Sequence, residues 1–258
     1  AELQNSIDKN PVNGNLGIAH TRWATHGIPT ETNAHPHHSN NNVFVIHNGI
    51  IENHQEIRTT LKALGYAFES ETDTEVIAHL IHAKMSKEGA SLVEALQQSV
   101  KDLRGAYAIG AVCETEPGIL AAARKGSPLV VGIGHGENFI ASDQLALADF
   151  AEKFVFLEEG DLAEITSSGT KFWNLNDEEV ERPVVVAKSL GETIDKGEYR
   201  HFMLKEINEQ PEKIKSLLEG QLTDTGVQEE IFGPKAPEIF KQVDAVQIVA
   251  CGTSFHAG

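Results

Sequence analysis

Residues 106–133 read AYAIGAVCETEPGILAAARKGSPLVVGI. Apolar runs of strand length alternate there with Gly, Pro, Ser and charged residues, and no 3.6-residue stripe runs through them. The pattern continues to residue 174. It predicts strands at 106–113, 118–123, 128–133, 138–141, 154–157, 162–166 and 170–174. Upstream the period changes. Asn53, Thr72 and Ser91 each precede a glutamate by three (Glu56, Glu75 and Glu94), which is the capping-box spacing at a helix start. Apolar stripes follow each: Ile57, Leu61 and Leu64; Val76, Ile77, Leu80, Ile81 and Met85; Leu92, Leu96, Val100 and Leu103. Helices first and then a strand meander predict an α+β domain with layered sheets.

Outward from this block the chain is less regular. Residues 1–14 and 30–42 are polar and read as loop. Val43–Ile46 reads as a short buried strand, ended by the turn signal Asn48-Gly49. Residues 176–199 are charged and irregular and read as a linker. Residues 200–219 regain helical character, with Pro211 marking a kink or break. The run DAVQIVA at 244–250 reads as a buried strand, followed at once by Cys251-Gly252-Thr253-Ser254.

Of the 258 residues 40% are hydrophobic and 23% charged, which suits a folded globular chain of one or two domains. With 21 Lys+Arg against 38 Asp+Glu the formal net charge is −17, which disfavours nonspecific contact with nucleic acid or an anionic membrane. No apolar run approaches the ~18–20 residues that span a bilayer. Two cysteines cannot make a disulfide framework, so a reducing, cytoplasmic setting is expected. Ala1 is not an initiator Met and Gly258 closely follows an apolar run, so a fragment is expected.

Several groups can carry chemistry. In Asn48-Gly49 a side-chain amide and an adjacent N–H without a neighbouring Cβ can point at one spot, as an oxyanion site requires; an ordinary hairpin turn is the alternative. Arg22, beside Trp23, can clamp a carboxylate, or lie on the surface stacked against the indole. Asp73, at a helix start, can receive an ammonium, or simply complement the helix dipole. The histidines 26, 35, 37, 38 and 47 raise a metal site, but His35-Pro36-His37 is extended and no carboxylate or Cys stands at ligand spacing, so no metal is expected. Cys251-Gly252-Thr253-Ser254 after a strand can cradle a phosphate or merely cap a helix. Neither Cys113 nor Cys251 has the setting of a nucleophile.

TRWATHG at 21–27, NAHPH at 33–37, HNGIIEN at 47–53 and ETDTE at 71–75 resemble the glutamine amidotransferase domain of the N-terminal-nucleophile class. ENFIASDQLAL at 137–147 and FLEEGDLAEI at 156–165 continue the resemblance. MLKEINEQP at 203–211 and ACGTSFHAG at 250–258 are similar to the branch that joins this domain to a sugar isomerase. The resemblance implies a four-layer α/β/β/α sandwich over 1–185, a linker with helices over 186–243, and the first strand of a doubly wound α/β isomerase domain within 244–258. It implies glutamine and fructose 6-phosphate as substrates, glucosamine 6-phosphate as product, no cofactor and a homodimeric parent protein. Arg22 would hold the glutamine α-carboxylate with help from Thr25 and His26, and Asp73 the α-ammonium. Asn48 and Gly49 would stabilise the oxyanion, and Trp23 would lie on a closing loop. Thr253 and Ser254 would begin the sugar-phosphate site. In this class an N-terminal cysteine attacks the amide, its own α-amine (pKa about 8) acting as base. Without that segment the chain is expected to be inactive alone. The rivals are a nucleophile-less glutamine-binding module, and a phosphoribosyl amidotransferase or asparagine synthetase, which the tail argues against.

Overall fold

The run that opens the meander forms the middle of a sheet. The computed structural model describes residues 2–9, 11, 13–22, 26–186, 196–218, 222–223, 226–227, 229 and 235–258. The chain divides into two compact units, Ala1–Ile194 and Asp195–Gly258.

In the first unit a helix α1 (Glu2–Lys9) precedes the sheets. The larger sheet has seven strands, all antiparallel. Their order is β1 (His37–Ser39), β2 (Val43–Ile51), β3 (Gly105–Cys113), β4 (Leu120–Lys125), β8 (Leu162–Ile165), β9 (Thr170–Trp173) and β10 (Glu179–Val180). The second sheet has the order β11 (Val185–Val186), β7 (Lys153–Phe156), β5 (Val130–Ile133) and β6 (Asn138–Ala141).

The period-2 alternation of the strands decides which side chain meets which layer. Val43, Val45 and Ile51 of β2 and Tyr107, Ile109 and Ala111 of β3 pack against α2 (His54–Ala63), α3 (Glu75–Glu88) and α4 (Leu92–Asp102). Ala108, Leu120, Ala122, Ala163 and Ile165 point the other way, onto Val131, Val155 and Leu157. The outer face of the second sheet buries Val130 and Phe154 under Leu147 and Ala151. Leu147 ends the short 3-10 helix Gln144–Leu147. The layers are therefore helices, sheet, sheet and, among the described residues, a thin fourth layer. Each fully buried Val, Leu or Ile contributes about 1.5–3 kcal/mol of transfer free energy.

Arg182 pins the point where the chain crosses from β10 in one sheet to β11 in the other. Its Nε and one NH2 group each donate to Asp161 at 2.7 Å, a bidentate pair. The Asp161 side chain is 1% exposed and that of Arg182 13%. Asp161 also accepts from the Glu158 N–H at 2.7 Å, which fixes the turn into β8.

The second unit contains α5 (Phe202–Leu218), the hairpin β12 (Leu222–Thr223) with β13 (Gly226–Val227), α6 (Ala236–Phe240) and α7 (Gly252–Ala257).

Several expectations need correction. The strand expected to stop at Ile46 runs on to Ile51, so Asn48-Gly49 is not a turn. Nine consecutive pairs with β3 outweigh the local turn preference of the dipeptide. Asn53 does not cap α2 with its side chain; it accepts from Arg104 N–H and donates to the Asp102 carbonyl instead. The capping box at Thr72 is absent because α3 begins at Glu75. Ser91 and Glu94 do form one. Within 30–42, residues 37–39 form the short strand β1, and within the supposed linker β10 and β11 extend the sheets. The first unit consequently runs beyond 185. Helix α5 continues through Pro211 without breaking. The run 244–250 is exposed and forms no strand; among the described residues β12 and β13 pair with each other, and no strand edge of this unit receives it.

Candidate functional site

A cleft of about 290 Å³ lies where three segments meet, lined by His20, Arg22, His26, His35, His47, Asn48, Gly49, Ile50 and Thr72–Thr74. Strand β2 supplies its floor. Asn48 lies opposite Ala108 and Gly49 opposite Tyr107. Gly49 has φ +135°, and a Cβ there would run into the Ala106 carbonyl, so only glycine fits this approach of two strands. On the side of β2 away from β3, the His47 N–H donates to His35 Nδ1 at 3.4 Å and the Ile51 N–H to Asp73 Oδ2 at 2.7 Å. Alternation along an antiparallel strand puts the Gly49 N–H on this same edge, between the two.

Asp73 comes from the loop 69–74, and that loop is held from several directions. Arg58 donates to the carbonyls of Ser70 (3.0 Å) and Thr72 (2.8 Å) and lies over the Phe68 ring. Glu75 accepts from the N–H groups of Glu69 and Ser70 (both 2.8 Å) and from the Ser70 hydroxyl (2.7 Å). Burial pushes the Glu75 carboxyl up, but the hydrogen bonds from His79, Glu69 and Ser70 outweigh it and bring the pKa down to about 2. Asp73 itself is 3% exposed, and His26 Nδ1 lies 3.7 Å from its Oδ1.

Arg22 lies in an irregular segment with φ +55°, a conformation uncommon for a residue with a side chain. Its guanidinium donates to the carbonyls of His26 (2.7 Å), Gly27 (3.1 Å) and Ile28 (3.1 Å). Asn33 joins this turn to the loop of Asp73. Its Nδ2 donates to the Ile28 carbonyl (3.1 Å) and to Glu71 Oε2 (3.2 Å), while its Oδ1 accepts from the Glu71 N–H (2.9 Å).

Burial is the largest cause holding three nearby imidazoles neutral. It brings His35 down to about 3, and His37 and His47 down to about 4. Arg22 and Asp73 place a guanidinium and a carboxylate in the same cleft. His47 Nδ1 contacts the Thr74 hydroxyl at 3.0 Å, and its Nε2 is buried with no partner among the described residues.

Of the expected site residues, the fold brings together Arg22, His26, Asn48, Gly49 and Asp73. Trp23 and Thr25 lie outside the described residues. Thr253 and Ser254 belong to α7 in the second unit, where Ser254 is exposed. Cys113 is buried in the helix-side core and Cys251 is exposed; both are free thiols. Among the described residues no group of three or more His, Cys, Asp or Glu side chains is placed to hold a metal ion. Sequence reasoning missed His20, Asn33 and His47 as parts of the site. The signals available are indirect: Asn33 and His47 lie in the stretches NAHPH and HNGIIEN, the sequence singles out His47 only as a metal-ligand candidate, and His20 stands two before Arg22.

The cleft thus gathers a guanidinium, a carboxylate and amide donors on a β-strand floor, in an α+β fold of two packed antiparallel sheets. The family model of the glutamine amidotransferase domain matches residues 20–149, half of the chain and the part that forms this cleft, and the chain belongs to that family. Over all 258 residues it is 54% identical to the glutamine–fructose-6-phosphate aminotransferase (isomerizing) of Pseudomonas aeruginosa. It is 52% identical over 256 residues to the protein of the same name from Photorhabdus laumondii. The chain spans 42% of the length of each of these relatives. Among solved structures, the glutamine phosphoribosylpyrophosphate amidotransferase of B. subtilis is 27% identical with a TM-score of 0.49, the match covering 60% of this chain and 34% of that one.

Proposed function

We propose that this chain is the glutamine-binding part of an enzyme that transfers the amide nitrogen of glutamine to fructose 6-phosphate, giving glucosamine 6-phosphate and glutamate. One observation carries the reading: Arg22, Asp73, Asn48 and Gly49 converge on one cleft of amino-acid size. Free glutamine offers a carboxylate, an ammonium and a side-chain carbonyl, and each has a counterpart there. Arg22 takes the α-carboxylate, with His26 beside it. Asp73 takes the α-ammonium.

The chemistry follows from the donors on β2. A thiolate supplied by the complete protein adds to the amide carbon, and the carbonyl oxygen takes up the negative charge. Asn48 Nδ2–H and the Gly49 N–H donate to that oxygen. The C–N bond then breaks, the nitrogen leaves as ammonia after gaining a proton, and a thioester remains. Water hydrolyses the thioester to glutamate and returns the thiol. The ammonia is used in a second domain, whose sugar-phosphate site we assign to begin at Thr253 and Ser254. We place the complete protein in the cytoplasm as a homodimer.

Arg22→Ala and Asp73→Ala in the complete protein test the reading. Each is expected to reduce kcat/KM for glutamine about 10- to 100-fold, since each removes a charge-assisted contact worth about 1.5–3 kcal/mol. Synthesis from free ammonia should stay within about twofold, because ammonia carries neither group. Equal losses with the two nitrogen sources would overturn the assignment.

Asn33→Ala should act on binding. It frees the Arg22 turn from the Asp73 loop and leaves the Glu71 N–H without its acceptor. The expected result is a rise in KM for glutamine of roughly tenfold with kcat little changed, as for loss of one buried hydrogen-bonding group. Steady-state glutamate release measures both constants.

A further inference from the structure

The side-chain amide of Asn48 is exposed on the strand floor and can rotate between two orientations of nearly equal shape. Only one of them serves the proposed chemistry. With Nδ2 toward the cleft it donates to a developing oxyanion. Turned by 180° it presents a carbonyl oxygen, an acceptor facing negative charge. Something must choose between the two.

We propose that His20 is the positioning residue that makes this choice. The backbone N–H of Arg22 donates to His20 Nδ1 at 2.8 Å. A backbone N–H can only donate, so Nδ1 carries no proton and the ring's single proton resides on Nε2. Nε2 lies 2.6 Å from Asn48 Oδ1. The ring therefore donates to the amide oxygen, which commits Oδ1 to His20 and leaves both hydrogens of Nδ2 for the cleft. Among the described residues Nδ2 has no other partner. The ring is braced by His35, whose centroid is 4.4 Å away. The chain of control runs from the backbone of Arg22 through an imidazole tautomer to the orientation of an amide. The same residue that we assign to the substrate carboxylate thus helps aim the oxyanion donor two segments away.

This inference rests on the amidotransferase reading, so the test separates the two. In the complete protein, His20→Ala is expected to lower kcat for glutamate release about 10- to 100-fold with KM for glutamine little changed, a smaller loss than the ~10²–10³ of removing the donor itself. His20→Gln, whose amide N–H can take the place of Nε2, should recover most of the rate. In an Asn48→Ala background His20→Ala should have no further effect, because its only route to the reaction is gone. Additive losses in that cycle, or a loss confined to KM, overturn the proposal. A long-range proton–nitrogen spectrum of the wild-type protein reads the tautomer without any turnover. The Nε2–H form is expected, and the Nδ1–H form overturns the proposal. Wild-type protein that releases no glutamate counts against the amidotransferase reading alone, and the tautomer then decides the role of His20.

Discussion

Asn48→Ala in the complete protein is expected to slow glutamate release from glutamine about 10²–10³-fold, which is ~2.7–4 kcal/mol of barrier. The loss should fall on kcat. In the ground state the glutamine carbonyl is a neutral acceptor that water or the Gly49 N–H can satisfy, whereas in the tetrahedral intermediate the oxygen carries a full charge. A donor removed at that point costs far more in the transition state than in the bound substrate. Asn48→Asp should lose at least as much, since it keeps the size of the side chain but points a carboxylate at the oxyanion. Single-turnover glutamate release is the measurement. A change of less than about threefold in both variants would falsify the assignment of Asn48 as an oxyanion donor.

The second large effect concerns the fold. Arg182→Ala should destabilise the first unit by about 3–5 kcal/mol, because it leaves the buried Asp161 carboxylate without its cation, and Asp161→Ala by less, because Arg182 is partly exposed and keeps Glu158 at 3.3 Å. In Asp161→Ala the Glu158 N–H loses its acceptor as well. For a unit of this size each kcal/mol lowers Tm by about 2–4 °C, so a fall on the order of 10 °C is expected for Arg182→Ala. The double variant Asp161→Leu/Arg182→Leu should lose clearly less than the sum of the single changes, since no charge is then stranded. Urea titration of the three variants tests this, and strictly additive losses would show that the pair is not acting as a unit.

What could be read in advance divides along physical lines. The strand predicted at 106–113 and helix α4 were legible because their signals are local and agree: an apolar run between breakers, a capping box, Gly105 after the end. The placement of Asn48-Gly49 was not. A turn preference is written in two residues, while the ladder that overrides it depends on β3, more than fifty residues downstream. DAVQIVA at 244–250 failed for the converse reason, since an apolar run becomes a strand only if an edge receives it. The charged and hydrogen-bonding members of the site carried their chemistry in their residue types, and the resemblance named them. His20 and Asn33 did not stand out because their roles are relational. Each matters through what it bonds to, the Asn48 amide in one case and the loops of Arg22 and Asp73 in the other.

The mid-strand position of Asn48-Gly49 has a consequence for the energetics of turnover. A donor pair on a turn or loop would have to stop moving each time a substrate arrives, and that ordering would be subtracted from every binding event. Here the main chain on both sides is already held by nine rungs, and Gly49 sits where no side chain could enter. The entropy of aligning the donors was surrendered once, when the chain folded, and the reorganisation needed as charge develops is correspondingly small.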